Sequence, residues 1–206
     1  MPHENGYGDH GDRGDPIDDF SDELKERYVG AKMEDNKPHL YAIVDKSFQG
    51  MFHDSLEGPP ANQAIIITGE SGAGKTFNTK KVLEFLDVVN AASLKAANKT
   101  LDGKTMTEKI KSTMPIMDAF GNACMPRNDD SSRFGKLIKI FYDRRSHIAT
   151  GADITPYLLE KNRCCAQQSW ERNFHCFYYM LSAHASGDKA SRTALAQPRN
   201  PPNPQL

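Results

Sequence analysis

The stretch that most constrains this chain is Ile65-Ile66-Ile67-Thr68-Gly69-Glu70-Ser71-Gly72-Ala73-Gly74-Lys75-Thr76. Gly69, four residues, then Gly74-Lys75-Thr76 has the spacing of a phosphate-binding loop. Glycines let successive backbone N–H groups turn inward and approach phosphate oxygens closely. A lysine after the last glycine places a point charge on those oxygens, and the hydroxyl that follows suits Mg²⁺. The β-branched apolar residues ahead of the loop read as a buried parallel strand over residues 64–68. Behind the loop Val82, Phe85, Leu86 and Val89 repeat at helical spacing. The helix this predicts would aim its N-terminal dipole at a bound anion. Strand, loop and helix together indicate a nucleotide-phosphate site.

Composition narrows the class. At 206 residues the chain suits one domain with tails. A net charge of −1 supplies no field that would hold nucleic acid or an anionic membrane. No apolar run reaches membrane-spanning length and no apolar secretory segment opens the sequence, so a cytoplasmic setting is expected. Cys124, Cys164, Cys165 and Cys176 lack paired metal spacing and read as reduced thiols.

Three regions follow from polarity. Residues 1–15 are rich in Gly, Asp and His and are expected to be disordered, with His3 and His10 solvated. Residues 16–183 form the domain, and 184–206, ending QPRNPPNPQL, read as a second tail. Within the domain Ser21 is the expected cap of a short helix reaching Tyr28. A second helix after Pro38 should carry Leu40, Ile43, Val44 and Phe48 on one face, with Pro59-Pro60 closing that region. Residues 91–109 are polar and lysine-bearing and read as a surface loop. Ile110, Met114, Met117 and Phe120 give a further helix, with Pro115 as a candidate break and Gly121 as its end. Residues 137–142 and 147–154 read as strands of a hairpin joined by Asp143-Arg144-Arg145-Ser146. Trp170, Phe174, Phe177, Tyr178 and Leu181 recur at helical spacing and read as core.

GESGAGKT followed by x-N-T-K-K is narrower than the general phosphate loop. Together with NDDSSRFGK, Asn128 to Lys136, it resembles the myosin motor domain. Pro38 to Ile43, Asp118 to Ala123, Asp153-Ile154 and Tyr157 to Arg163 also resemble that family, in its order. The resemblance implies an α/β P-loop NTPase, with a partial myosin-type central sheet and flanking helices, incomplete in this chain. It implies that Gly69, Glu70, Ser71, Gly72, Ala73, Gly74, Lys75 and Thr76 wrap the phosphates of ATP. Lys75 would sit on the β and γ oxygens and Thr76 on Mg²⁺. Asn128, Ser131, Ser132 and Arg133 would form the first switch. There Ser132 would give Mg²⁺ its second protein oxygen, Asn128 and Ser131 would contact phosphates, and Arg133 would pair with an acid on the second switch. Lys75, Ser131 and Arg133 are then the candidate catalytic set, in a phosphoryl transfer to water that works by positioning and charge stabilisation. ATP or ADP and Mg²⁺ are the implied ligands, actin filaments the implied partner, and the actin cytoskeleton the implied location.

The departures carry expectations of their own. Asp15-Pro16-Ile17-Asp18-Asp19 stands where the family has its adenine-contacting Asn-Pro and nearby Tyr. The second switch, Asp-x-x-Gly-Phe-Glu, is not in the sequence, nor are the actin-binding regions. Its strand lies beside the phosphate-loop strand in the family's sheet, so two strand edges are expected to lack partners. Alone, the chain is expected to bind nucleotide weakly and to lack an actin-activated cycle. Two other readings stay open: a truncated non-motor nucleotide-binding or regulatory protein derived from a myosin, and an unrelated phosphate-loop kinase or GTPase. The second is disfavoured because no guanine-reading Asn-Lys-x-Asp element is evident.

Overall fold

The computed structural model describes residues 19–32, 34, 36–53, 61–100 and 103–185. The tail expected over residues 1–15, nearly all of that over 184–206, and Pro59-Pro60 lie outside the described residues. Helices α1 (Asp22–Tyr28), α2 (Leu40–Gly50), α3 (Lys75–Ala96) and α4 (Met106–Gly121) come first. Strands β1 (Asn122–Met125), β2 (Asn128–Ser132), β3 (Gly135–Tyr142) and β4 (Ala149–Tyr157) follow, then a 3₁₀ turn, Lys161–Cys164, and helix α5 (His175–Ala185). The chain divides into two compact units. One holds α1, α2 and nearly all of α3; the other holds loop residues 68–75, α4, the four strands and α5.

In the first unit α1 and α2 open on side-chain caps, and α2 and α3 bury apolar residues on one side. Ser21 Oγ accepts the Leu24 N–H at 3.3 Å, as expected from sequence. At α2 the cap is His39, whose Nδ1 accepts the Tyr41 N–H at 3.1 Å. Burial holds this imidazole below its ordinary pKa, which keeps the accepting lone pair unprotonated. Tyr41, Val44 and Phe48 are buried, and Tyr41 stacks on Phe85 of α3 with ring centroids 4.7 Å apart. Ile43, expected on this face, is 49% exposed. Asp45 is buried on the same side of α2 as Tyr41, Val44 and Phe48, and accepts the Gly30 N–H at 3.0 Å. Val82, Phe85 and Val89 are buried and Leu86 is half-buried, as the periodicity predicts.

The loop expected over residues 91–109 is helix at its two ends, 91–96 and 106–109, with non-helical residues 97–100 and 103–105 between them. α3 continues to Ala96 through the helix-favouring Ala91-Ala92-Ser93-Leu94-Lys95-Ala96, with Leu94 buried as an anchor. In the second unit α4 opens on a capping box: Thr105 Oγ1 accepts the Glu108 N–H at 3.1 Å, and Glu108 Oε2 accepts the Thr105 N–H at 2.8 Å. α4 runs unbroken through Pro115 to Gly121. Its buried Ile110 and Met114 hold it in place despite the amide hydrogen that proline lacks.

The strands pair two by two, both pairs antiparallel. β1 lies on β2 with Asn122 opposite Ser132 and Ala123 opposite Ser131. β3 lies on β4 with Ile138 opposite Ile154, so the expected hairpin is present, its second strand starting at Ala149. Ala123, Phe174 and Cys176 form the buried centre beside these elements. Two expectations fail here. Residues 64–68 form no strand, Ile66 is 86% exposed, and no parallel pair exists among the described residues. A run of β-branched residues becomes a strand only when another strand takes its N–H and C=O groups, and none of the four described strands pairs with it. The aromatic stripe is also less buried than its spacing predicts. Phe174 is 2% exposed, but Phe177 is 40% exposed, and Trp170 lies outside α5 in a left-handed conformation, 81% exposed. All four cysteines are free thiols.

Candidate functional site: phosphate loop and first switch

Residues 69–75 and the first-switch residues 128–133 belong to the same unit. The loop takes its shape from its glycines. Gly72 and Gly74 sit at φ +83° and +84°, a region that a side chain would strain. The Ala73 N–H closes the turn on the Glu70 carbonyl at 3.2 Å. Glu70, Ser71, Gly72 and Ala73 are exposed. α3 begins at Lys75, and its first-turn N–H groups, which have no acceptor within the helix, open at the loop. The Lys75 ammonium donates to the carbonyls of Gly69 and Glu70 at 2.6 and 2.7 Å, which places its charge within the loop. Backbone donors, a helix N-terminus and a held cation together suit an anion of the phosphate type.

Residues 128–133 reach this loop through a hydrogen bond between two serines. Ser71 Oγ and Ser131 Oγ are 2.9 Å apart. Ser131 is 3% exposed on β2, and Arg133 Nη1 donates to its Oγ at 3.4 Å. A guanidinium can only donate, and a hydroxyl oxygen has two lone pairs, so Ser131 Oγ can accept from Arg133 and still share a hydrogen bond with Ser71. Asn128, expected on phosphate, turns its Oδ1 onto the Asp130 N–H at 3.1 Å, which leaves its amide nitrogen for another acceptor. Asn-Asp-Asp-Ser-Ser forms strand β2, pinned at Asp130 by Asn122 Nδ2 at 2.8 Å and His175 Nε2 at 3.2 Å.

Thr76 and Ser132 are both exposed. Among the described residues no group of three or more His, Cys, Asp or Glu could hold a metal. A hard cation at Ser132 would meet a hydroxyl oxygen, phosphate oxygens and water, a donor set that suits Mg²⁺. Loop residues 69–75 suit a polyphosphate, and the Ser132 hydroxyl in the same unit suits Mg²⁺.

Arg133 has an acidic partner in this chain, and it is Glu160. Arg133 Nε donates to Glu160 Oε2 at 2.7 Å, while the Glu160 N–H donates to the Arg133 carbonyl at 3.0 Å. The same Oε2 accepts from Arg163 Nε at 2.9 Å. Arg163 is 3% exposed and also holds Glu171 at 2.8 Å and the Arg172 carbonyl at 2.9 Å. Burial pushes the Glu160 carboxyl up, but the hydrogen bonds and charges of the two arginines outweigh it and hold it below the ordinary carboxylate range. Glu160 and Arg163 are functional candidates that sequence reasoning did not single out. Their i, i+3 spacing was the available signal.

A family model for the myosin head (motor domain) matches residues 15–200, which extends past the domain end read at residue 183. Over 168 residues, 80% of its length, the chain is 40% identical to Myosin-3 of Caenorhabditis elegans. Over 180 residues, 87% of its length, it is 37% identical to Myosin-15 of Arabidopsis thaliana. The matched stretches are 8% and 11% of those two proteins, so the chain spans a small part of the curated relatives it matches.

Proposed function

Because the chain belongs to the myosin head (motor domain) family, we propose that it supplies the phosphate- and Mg²⁺-binding part of an actin-based motor ATPase. The observation that carries this reading is the Ser71–Ser131 hydrogen bond, which joins the phosphate loop to the first switch within one unit. In this reading the amides of Gly69 to Gly74 and Lys75 bind the phosphates of ATP, while Thr76 and Ser132 ligate Mg²⁺. Asn128 and Ser131 contact phosphate oxygens, and Arg133 closes the first switch. Bound Mg²⁺ supplies charge neutralisation on the phosphates. The chain's own part is to orient: donors already fixed in the loop need no rearrangement when charge shifts during phosphoryl transfer. Actin filaments as partner and a place on the cytoskeleton come with the family reading. No helix among the described residues is long and apolar enough to cross a membrane.

The test is titration of Mg·ATP into the chain and into Lys75→Ala by calorimetry. Loss of a charge-assisted contact of about 1.5–3 kcal/mol weakens binding at least about tenfold. Unchanged affinity in the variant would sink the site assignment. A second reading, a non-motor nucleotide-binding or regulatory protein derived from a myosin, is favoured by Arg133 having its acid within this chain, on Glu160. It predicts nucleotide binding without turnover. Steady-state phosphate release above background from the purified chain contradicts it.

A further inference from the structure

We propose that Glu160 is a positioning residue for the first switch, holding Arg133 so that Ser131 stays against the phosphate loop. The proposal rests on the reading of residues 69–76 and 128–133 as a phosphate site, and adds to it an acid from neither motif. A continuous line of contacts carries it. Glu160 Oε2 meets Arg133 Nε at 2.7 Å, Arg133 Nη1 meets Ser131 Oγ at 3.4 Å, and Ser131 Oγ meets Ser71 Oγ at 2.9 Å. The backbone repeats the link, since the Glu160 N–H donates to the Arg133 carbonyl. Behind Glu160 stands an anchor that cannot easily move. Arg163 is 3% exposed and held by Glu171, the Arg172 carbonyl and Met125 Sδ at 3.2 Å. The geometry therefore places Arg133 from the 3₁₀-turn side, whatever other acid it meets.

The position of Glu160 also orients the guanidinium. With Nε of Arg133 committed to the carboxylate, its Nη1 is aimed at Ser131, whose hydroxyl also meets Ser71. Loss of the Glu160 charge leaves the two arginines 133 and 163 without the carboxylate that separates them. Charge-assisted hydrogen bonds are about twice as strong as neutral ones, so an amide in place of the acid should loosen this line without removing it.

The experiment uses the full chain, wild type and Glu160→Gln, with hydrogen exchange read by mass spectrometry, first without ligand and then with Mg·ADP. Expected without ligand is several-fold faster exchange in residues 71–74 and 128–133 of Glu160→Gln, with the β3–β4 ladder and α5 unchanged. A purely structural role for Glu160 would instead raise exchange throughout the unit, and that outcome overturns the proposal. So does unchanged exchange in residues 71–74 and 128–133. With Mg·ADP, binding to Glu160→Gln is expected to be several-fold weaker. Its combination with Ser71→Ala should weaken binding by less than the product of the two single effects, and a simple product overturns the coupling. A wild-type chain that ignores Mg·ADP overturns the phosphate-site reading, while the exchange comparison still decides the role of Glu160. Should Glu160→Gln fail to fold, Glu160→Asp carries the same readouts with the charge kept one methylene short.

Discussion

Two apolar β-branched stretches of this chain meet opposite fates. Residues 137–142, Leu-Ile-Lys-Ile-Phe-Tyr, sit in β3 and are paired residue by residue with β4. Residues 64–68, Ala-Ile-Ile-Ile-Thr, are as strand-like in composition, yet they form no strand and Ile66 is 86% exposed. The difference lies in what each has to pair with. β3 meets its partner across a short polar connection, so closing the hairpin costs little chain entropy. A parallel partner must come from a distant part of a sheet, and no described strand supplies one. β-propensity states a willingness to pair; a neighbouring strand makes it structure. The phosphate loop behaves differently from the strand before it, because its shape comes from its own glycines and from the start of α3.

The contrast between packed and open regions can be broken at its strongest point by Phe174→Ala. Phe174 is 2% exposed and bridges to Ala123 of β1, so truncation should cost about 3–5 kcal/mol. Denaturant unfolding checks it, and a loss under about 1 kcal/mol would show that this centre is not a core. The next effect is one of pH on the helical unit. The pKa of His39 is depressed by burial, so its contribution to stability is present above the ordinary imidazole value of about 6.5 and is lost as pH falls through the lower folded value. Melting temperature should drop on acidification below pH 6.5, and His39→Asn, a capping residue that does not titrate there, should flatten that slope. An unaltered slope would assign the pH dependence to another group. The smallest effect sharpens the contrast from the other side: Ile66→Ala should change stability by less than about 0.5 kcal/mol, and a cost of 2 kcal/mol would reveal a packed strand.

Local signals were legible in the sequence where local forces decide the outcome. Ser21 as a cap, the apolar stripe of α3, the β3–β4 hairpin and the glycine-shaped loop each depend on residues close in the chain. The misses share the opposite cause. The strand at 64–68 needed a distant partner, and Ile43 falls on the side of α2 away from buried Tyr41, Val44, Asp45 and Phe48. Trp170 has the right spacing but falls before α5 begins. The site divides the same way. The loop and first-switch residues could be named from their motifs, whereas the Ser71–Ser131 contact and the Glu160–Arg133 pair join residues 60 and 27 positions apart. No spacing rule reports such contacts. The helix through Pro115 is a milder case, where tertiary burial of Ile110 and Met114 overrides a local breaker.

The central claim is that the phosphate loop and the first switch form one site. Hydrogen exchange of the wild-type chain with and without Mg·ATP tests it directly. The account predicts slowed exchange in residues 69–76 and 128–133 together, at the same nucleotide concentration, with β3 and β4 unaffected. Slowing in the loop alone, or in neither segment, would contradict it.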